Sequence, residues 1–157
     1  APAEMENLHS PETYIGYKRA ESLVVVPDLI RDKMQMYSIV KKLGLNDWSL
    51  AGVWKVGSES AISIKKHAQI RYKFRARDLH LVLGTMNKKE IRFRVLLDGK
   101  PPNENHGEDI DEDGYGVVKG HKLYQLIRQT GENSRRDRLF SIEFFDSNAE
   151  AFAFTFG

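Results

Sequence analysis

The sequence predicts an all-β protein, a sandwich or barrel of nine or ten short strands. Residues 70 to 77, Ile70-Arg71-Tyr72-Lys73-Phe74-Arg75-Ala76-Arg77, alternate apolar and basic side chains, the period-two signature of a strand with one buried and one charged face. Further runs of this kind recur at short spacing, separated by Gly, Asn, Asp and Pro, as in sandwiches and barrels. No long amphipathic pattern and no β-helix-β alternation appears, which argues against an α/β fold. No repeat of 20 to 50 residues is present either.

Residues 1–33 read as an arm or linker from a preceding domain, packed along the main domain of residues 34–157 and anchored by Tyr14 and Tyr17. Within it Ser10-Pro11-Glu12-Thr13-Tyr14-Ile15-Gly16-Tyr17 has turn and extended character, and Val24-Val25-Val26 is a short β-prone run stopped by Pro27. Met36 to Val40 is the next expected strand, and Leu43 to Asp47 a turn. Trp48 to Val56 follows, with Trp48, Leu50, Gly52, Trp54 and Val56 on one face; Gly57-Ser58 then turns the chain into Ala61 to Ile64, a hairpin.

After the 70–77 strand the apolar phase moves to odd positions, Leu79, Leu81 and Leu83. A bulge or break near Arg77-Asp78 accounts for the slip, because one extra residue turns every later side chain over. Ile91 to Leu97 is another alternating strand, ended by Asp98-Gly99-Lys100-Pro101-Pro102. Residues 103–116 form an acidic loop. Val117-Val118 and Leu123 to Ile127 read as strands, although 123–129 also fits one or two helical turns. Leu139 to Phe145 and Ala151 to Phe156 close the chain, the last with Phe152, Phe154 and Phe156 on one face.

Composition sets bounds. With 41% hydrophobic and 29% charged residues the chain is ordinary globular material. No apolar run approaches the roughly 20 residues that span a bilayer. The start, Ala1 to Glu6, has neither the basic nor the apolar region of a signal peptide. A net charge of +2 is small for a protein that neutralises phosphates, so nucleic acid is not expected as a partner. Charge is nevertheless uneven, acidic over 104–113 and basic over 65–94. The absence of cysteine removes disulfides, thiolate metal sites and thiol redox chemistry from this chain.

Four constellations carry the candidate chemistry. Arg71, Lys73, Arg75 and Arg77 share one strand face and Arg92 and Arg94 another; guanidinium forks suit carboxylates and hydroxyls. The plainer alternative is a solvated face with cross-strand ion pairs, Glu143 being the expected partner. Asp109-Ile110-Asp111-Glu112-Asp113-Gly114 opens like a calcium loop, yet position twelve is Gly120 rather than Glu. Asp109, Asp111 and Asp113 stay as candidates for a structural calcium, and no other cofactor is expected. Trp48 and Trp54 share a face with Leu50 and Val56, which favours core packing; Trp48, at the strand edge, is the better candidate for exposure, and Tyr115 and Tyr124 are further loop or edge candidates. His9, His67, His80, His106 and His121 show no paired-ligand spacing, and no Gly-x-Ser-x-Gly or phosphate loop occurs.

Six dispersed blocks, in order from about residue 10 to the end, carry a resemblance. They are Ser10 to Tyr17, Trp48-Ser49-Leu50-Ala51-Gly52-Val53-Trp54, Ala76 to Gly84, Val95 to Pro102, Leu123-Tyr124-Gln125-Leu126-Ile127-Arg128, and Glu150 to Gly157. Together they resemble the C-terminal domain of DipZ-type proteins, in which a thioredoxin-like domain precedes this β-rich module. The resemblance implies a jelly-roll β-sandwich similar to carbohydrate-binding modules. It further implies a non-catalytic accessory role in a periplasmic or otherwise extracytoplasmic thiol–disulfide oxidoreductase. The partners expected are a glycan or acidic envelope component and the preceding thioredoxin-like domain, with no membrane insertion by this chain. The binding residues expected are Arg75, Arg77, Asp78, His80 and Trp48. Alternatives are a structural domain that docks on its thioredoxin-like neighbour or on another copy, and a glycan-processing enzyme.

Overall fold

The computed structural model describes residues 8–157; the reading of Ala1 to Glu6 lies outside the described residues. The strands are β1 (Thr13–Tyr14), β2 (Met34–Tyr37), β3 (Trp48–Val56), β4 (Ala61–Ser63), β5 (Ala68–Phe74) and β6 (Asp78–Thr85), then β7 (Ile91–Leu97), β8 (Tyr115–Val118), β9 (Lys122–Arg128), β10 (Arg138–Phe144) and β11 (Ala149–Phe156). The only helical pieces among the described residues are 3₁₀ turns at Asn103–Asn105 and Gly131–Arg135. The all-β class therefore stands, and the ambiguous 123–129 run is a strand.

Every strand pairing is antiparallel, in the order β8-β7-β10-β5-β3-β4-β11-β6-β9, with β1 on β11 and β2 on β3. β3 joins the two halves. Its first residues, Trp48 to Ala51, pair with β5, and its later residues pair with β2 and β4. Gly52 sits at the change-over with φ +92°, a backbone that side chains resist, and an added Cβ there would lie 3.0 Å from Ala68 Cα. The sheet curls so that β5 and β10 face β11 across the core. Tyr72 meets Phe154 with ring centroids 4.9 Å apart, and Phe140 meets Phe154 at 5.8 Å. Such edge-to-face pairs add to the area that the rings bury.

The alternation in β5 is as expected: Ile70, Tyr72 and Phe74 are buried, and Arg71 and Lys73 lie on the outer face. The phase slip near Arg77-Asp78 is a break rather than a bulge: β5 ends at Phe74, and residues 75–77 carry the chain from one half of the sheet to the other, where β6 starts at Asp78. Arg77 and Asp78 donate their backbone N–H groups to Gly157 O at that corner. Three readings need correction. Glu143 does not neutralise the ladder, but binds His67 Nδ1 at 2.7 Å. The three phenyl rings of β11 do not share a face, because a bulge between Ala151 and Ala153 against β6 turns Phe152 outward while Phe154 stays buried. Tyr124 lies on the edge strand β9 as expected but is buried rather than exposed, its hydroxyl donating to Gly120 O at 2.7 Å.

The arm is laid onto this frame. Ile15 is wholly buried in the core. Its N–H donates to Phe152 O, and the N–H groups of Tyr17 and Lys18 donate to Gly57 O and Ser58 O. Gly16 passes so close to the β3–β4 turn that an added Cβ would lie 2.4 Å from Glu59 Cα and Ser58 O. Thr13 Oγ1 lies 2.6 Å from Tyr72 Oη in a buried contact.

Candidate functional site

Because β10 lies between β5 and β7, the two basic strands are not neighbours. Their arginines already have partners. Arg75 binds Asp137 at 2.6 Å, Arg77 binds Asp78 at 2.9 Å, and Arg92 binds Asp146 at 2.9 Å. Arg71 donates to Val40 O, and Arg94 donates to Asp113 O while lying over the Tyr115 ring. The Arg92 guanidinium and backbone N–H hold the Asp146 carboxyl down at about 2. This is the pattern of a solvated face with ion pairs.

The five expected binding residues do not converge. Trp48 corrects the expectation of exposure: it is wholly buried, and its indole N–H donates to Glu21 O at 2.8 Å. Its place at the end of β3 reads as an edge in sequence, but the arm covers it, with Leu23 bridged to Trp48. Arg77 lines a hollow with His9, Glu132 and Arg135, while Arg75 lies outside that lining. Asp78 is buried between Arg77 and Arg128. His80 lies further along β6 on its outer face, with Nδ1 3.5 Å from Thr155 Oγ1.

The calcium candidates do not converge either. Asp109 binds Lys122 Nζ and Gln125 N–H, and Asp111 accepts the N–H groups of Asp113 and Tyr115. Among the described residues no group of three or more His, Cys, Asp or Glu side chains is placed to hold a metal ion.

A different site emerges on the outer face of β6 and β11. Val82 and Ala153 are register partners there, and Tyr14 of β1 pairs with Ala153, so these three make a continuous floor. Phe152, turned out by the bulge, stacks on His121 with centroids 4.6 Å apart and planes at 27°. Gly84 of β6 lies beside this pair: an added Cβ would meet His121 Cβ at 3.6 Å and the Phe152 ring at 3.7 Å, ordinary contact distances. On the opposite side the Arg19 guanidinium lies 3.6 Å from the centre of the Tyr14 ring. The Tyr14 hydroxyl donates to Glu12 Oε1 at 2.7 Å, which with burial raises its pKa above the usual tyrosine value against the opposing charge of Arg19.

These walls enclose an open hollow of about 370 Å³, rimmed by Lys18, Ser58 and Glu59, within the roughly 300–1,000 Å³ of small-ligand sites. Among the described residues the side chains of Lys18, Ser58, Glu59 and His121 make no hydrogen bond or ion pair with another side chain or the backbone. The arginines of the basic face are engaged; this hollow keeps donors and acceptors in reserve around an aromatic, apolar floor. Sequence reasoning missed it because Tyr14 and Phe152 stand almost 140 positions apart, and because a bulge cannot be read from alternating Ala and Phe. The signal that pointed nearest was the arm, with Tyr14 named as its anchor.

The described residues form a curled antiparallel β-module, and the chain has no cysteine to carry a thiol–disulfide couple. Residues 10–157 match the family described as thioredoxin-like C-terminal domain, and the chain belongs to that family. No curated protein matches it.

Proposed function

We propose that this chain is the non-catalytic accessory module of an extracytoplasmic thioredoxin-like thiol–disulfide oxidoreductase, and that it binds carbohydrate in the Tyr14–Phe152 hollow. Family membership supports the accessory role. The observation that carries the ligand class is the pairing of outward-turned rings with polar side chains that have no partner among the described residues. The C–H face of a pyranose ring packs on an aromatic face, and its hydroxyl rim bonds to surrounding donors and acceptors. Lys18 and His121 supply donors, Glu59 an acceptor and Ser58 both.

The test is a glycan array probed with the whole chain, followed by calorimetry on the best hit. Binding is expected for the native chain, with at least a tenfold loss for Phe152→Ala. The double reversal Arg75→Glu with Arg77→Glu should leave affinity within twofold in a folded protein. Silence on the array, or loss with the arginine reversal but not with Phe152→Ala, overturns the assignment.

One observation favours a second reading, docking on a thioredoxin-like neighbour. Met34 and Met36 on β2 are 63% and 65% exposed beside half-buried Val53, a soft apolar patch of the kind that protein partners cover. Sizing a mixture of this chain with its thioredoxin-like neighbour, native against Met34→Lys with Met36→Lys, tests it. A complex lost in the variant supports docking, and no complex removes it.

A further inference from the structure

The Tyr14–Phe152 hollow does not stand alone. A second open hollow, of about 400 Å³, lies on the other side of Tyr14 and Arg19, and both residues line both spaces. Glu12, Glu21, Ser22 and Asn46 line the second hollow, beside the buried contact of Thr13 with Tyr72. The stacked Tyr14–Arg19 pair is therefore a ridge between two subsites rather than the end wall of one. The subsites differ in chemistry. The first offers Lys18, His121 and Glu59 around Phe152; the second offers the carboxylates of Glu12 and Glu21 with neutral amide and hydroxyl groups.

Resting on the carbohydrate reading above, we propose that the ligand is a linear oligosaccharide of three or more units that lies across the Tyr14–Arg19 ridge, with at least one unit in each hollow. A single sugar in a pocket would need one enclosed space. Two open spaces that share a stacked aromatic–guanidinium crest instead suit a chain that bends over the crest, and each occupied side raises the effective concentration of the next unit at the other. The carboxylate-lined hollow takes hydroxyl or amino groups as donors, and the Lys18–His121 side takes ring and hydroxyl oxygens as acceptors.

The experiment titrates the whole chain by calorimetry with linear homo-oligomers of one to six units, built from glucose, N-acetylglucosamine, mannose, xylose and galacturonate. The expected result is weak or no binding of mono- and disaccharides and at least a tenfold gain between two and four units for one series. Glu21→Ala, at a residue that lines the second hollow and not the first, should remove that gain, so that the tetrasaccharide binds no better than the disaccharide. Glu21 holds Trp48 through its backbone carbonyl, so the variant keeps that contact; the unfolding transition checks it. A disaccharide that binds as tightly as the hexasaccharide, or a length gain unaltered by Glu21→Ala, overturns the two-subsite inference and leaves carbohydrate binding standing. No binding of any series overturns the carbohydrate reading and this inference with it.

Discussion

Gly16→Ala is the sharpest probe of how the arm builds the site. The space beside Gly16 is filled by backbone, not by a side chain that can swing away: an added Cβ would lie 2.4 Å from Glu59 Cα, Glu59 C and Ser58 O. Ordinary contact begins at 3.4 Å, so arm and turn must separate by 3.4 − 2.4 = 1.0 Å. Three backbone bonds hold the arm near this point, Ile15 N–H to Phe152 O at 3.0 Å, Tyr17 N–H to Gly57 O at 2.9 Å and Lys18 N–H to Ser58 O at 3.0 Å. Lengthened by that amount they approach 4 Å and cease to be hydrogen bonds. At about 1 kcal/mol each their loss alone is worth up to about 3 kcal/mol, and overpacking a filled site costs about 1–3 kcal/mol by itself. Partial relaxation shares these costs, so about 2–3 kcal/mol is expected, a fall in Tm of roughly 5–10 °C for a domain of this size. Urea unfolding gives the free energy, and calorimetry with the best glycan gives affinity, which should fall because Tyr14, Lys18 and Arg19 ride on the displaced segment. A variant within about 0.5 kcal/mol of native, the ordinary scatter of neutral surface changes, refutes the claim that the arm is clamped at Gly16.

Three further outcomes follow from the geometry. Asp146→Asn should destabilise the fold by about 1 kcal/mol at neutral pH, a figure discounted because Arg92 is largely exposed. The Asp146 carboxyl titrates at about 2 when folded against an ordinary 3.8, so its contribution is present above 3.8 and is lost as pH falls toward 2. The native–variant gap in urea midpoints should close over that window, and a gap that persists at pH 2 contradicts the pairing. Tyr72→Phe should cost about 1 kcal/mol, because Thr13 keeps its bond to Pro11 O when the phenol is removed; a loss above about 3 kcal/mol would show the hydroxyl to have no such reserve. Phe154→Ala should cost about 3–5 kcal/mol, since its ring meets Tyr72, Phe140 and Phe156 in the core, and a cost under 1 kcal/mol in thermal unfolding would contradict that packing.

The strands were legible wherever one face is apolar and the other is not. β5 and β7 announce themselves through Ile70, Tyr72 and Phe74 and through Ile91, Phe93 and Val95, set against arginines and lysine. Which strands lie side by side was not legible, because alternation gives each strand a face but no neighbour. Hence β10 between β5 and β7 came as a separate fact, and with it the commitment of Glu143 to His67. Trp48 shows a related limit. Its neighbours within β3 say which way it points, whereas its cover comes from Glu21 and Leu23, more than twenty residues upstream. The site was invisible for both reasons at once. It takes Tyr14 from the arm, His121 from the β8–β9 connection and Phe152 from a bulge that Ala151, Ala153 and their neighbours do not reveal.

The meeting of β1 with β11 has a consequence for anything joined to this module. Thirteen residue steps separate Ala1 from Tyr14, a span of at most about 45 Å for an extended chain. A domain fused ahead of Ala1 by no further linker would therefore stay tethered within that reach of the hollow. Whatever sugar chain the hollow holds is kept within reach of that domain, at the high local concentration a brief tether creates. In such a fusion, grip at one end becomes address at the other.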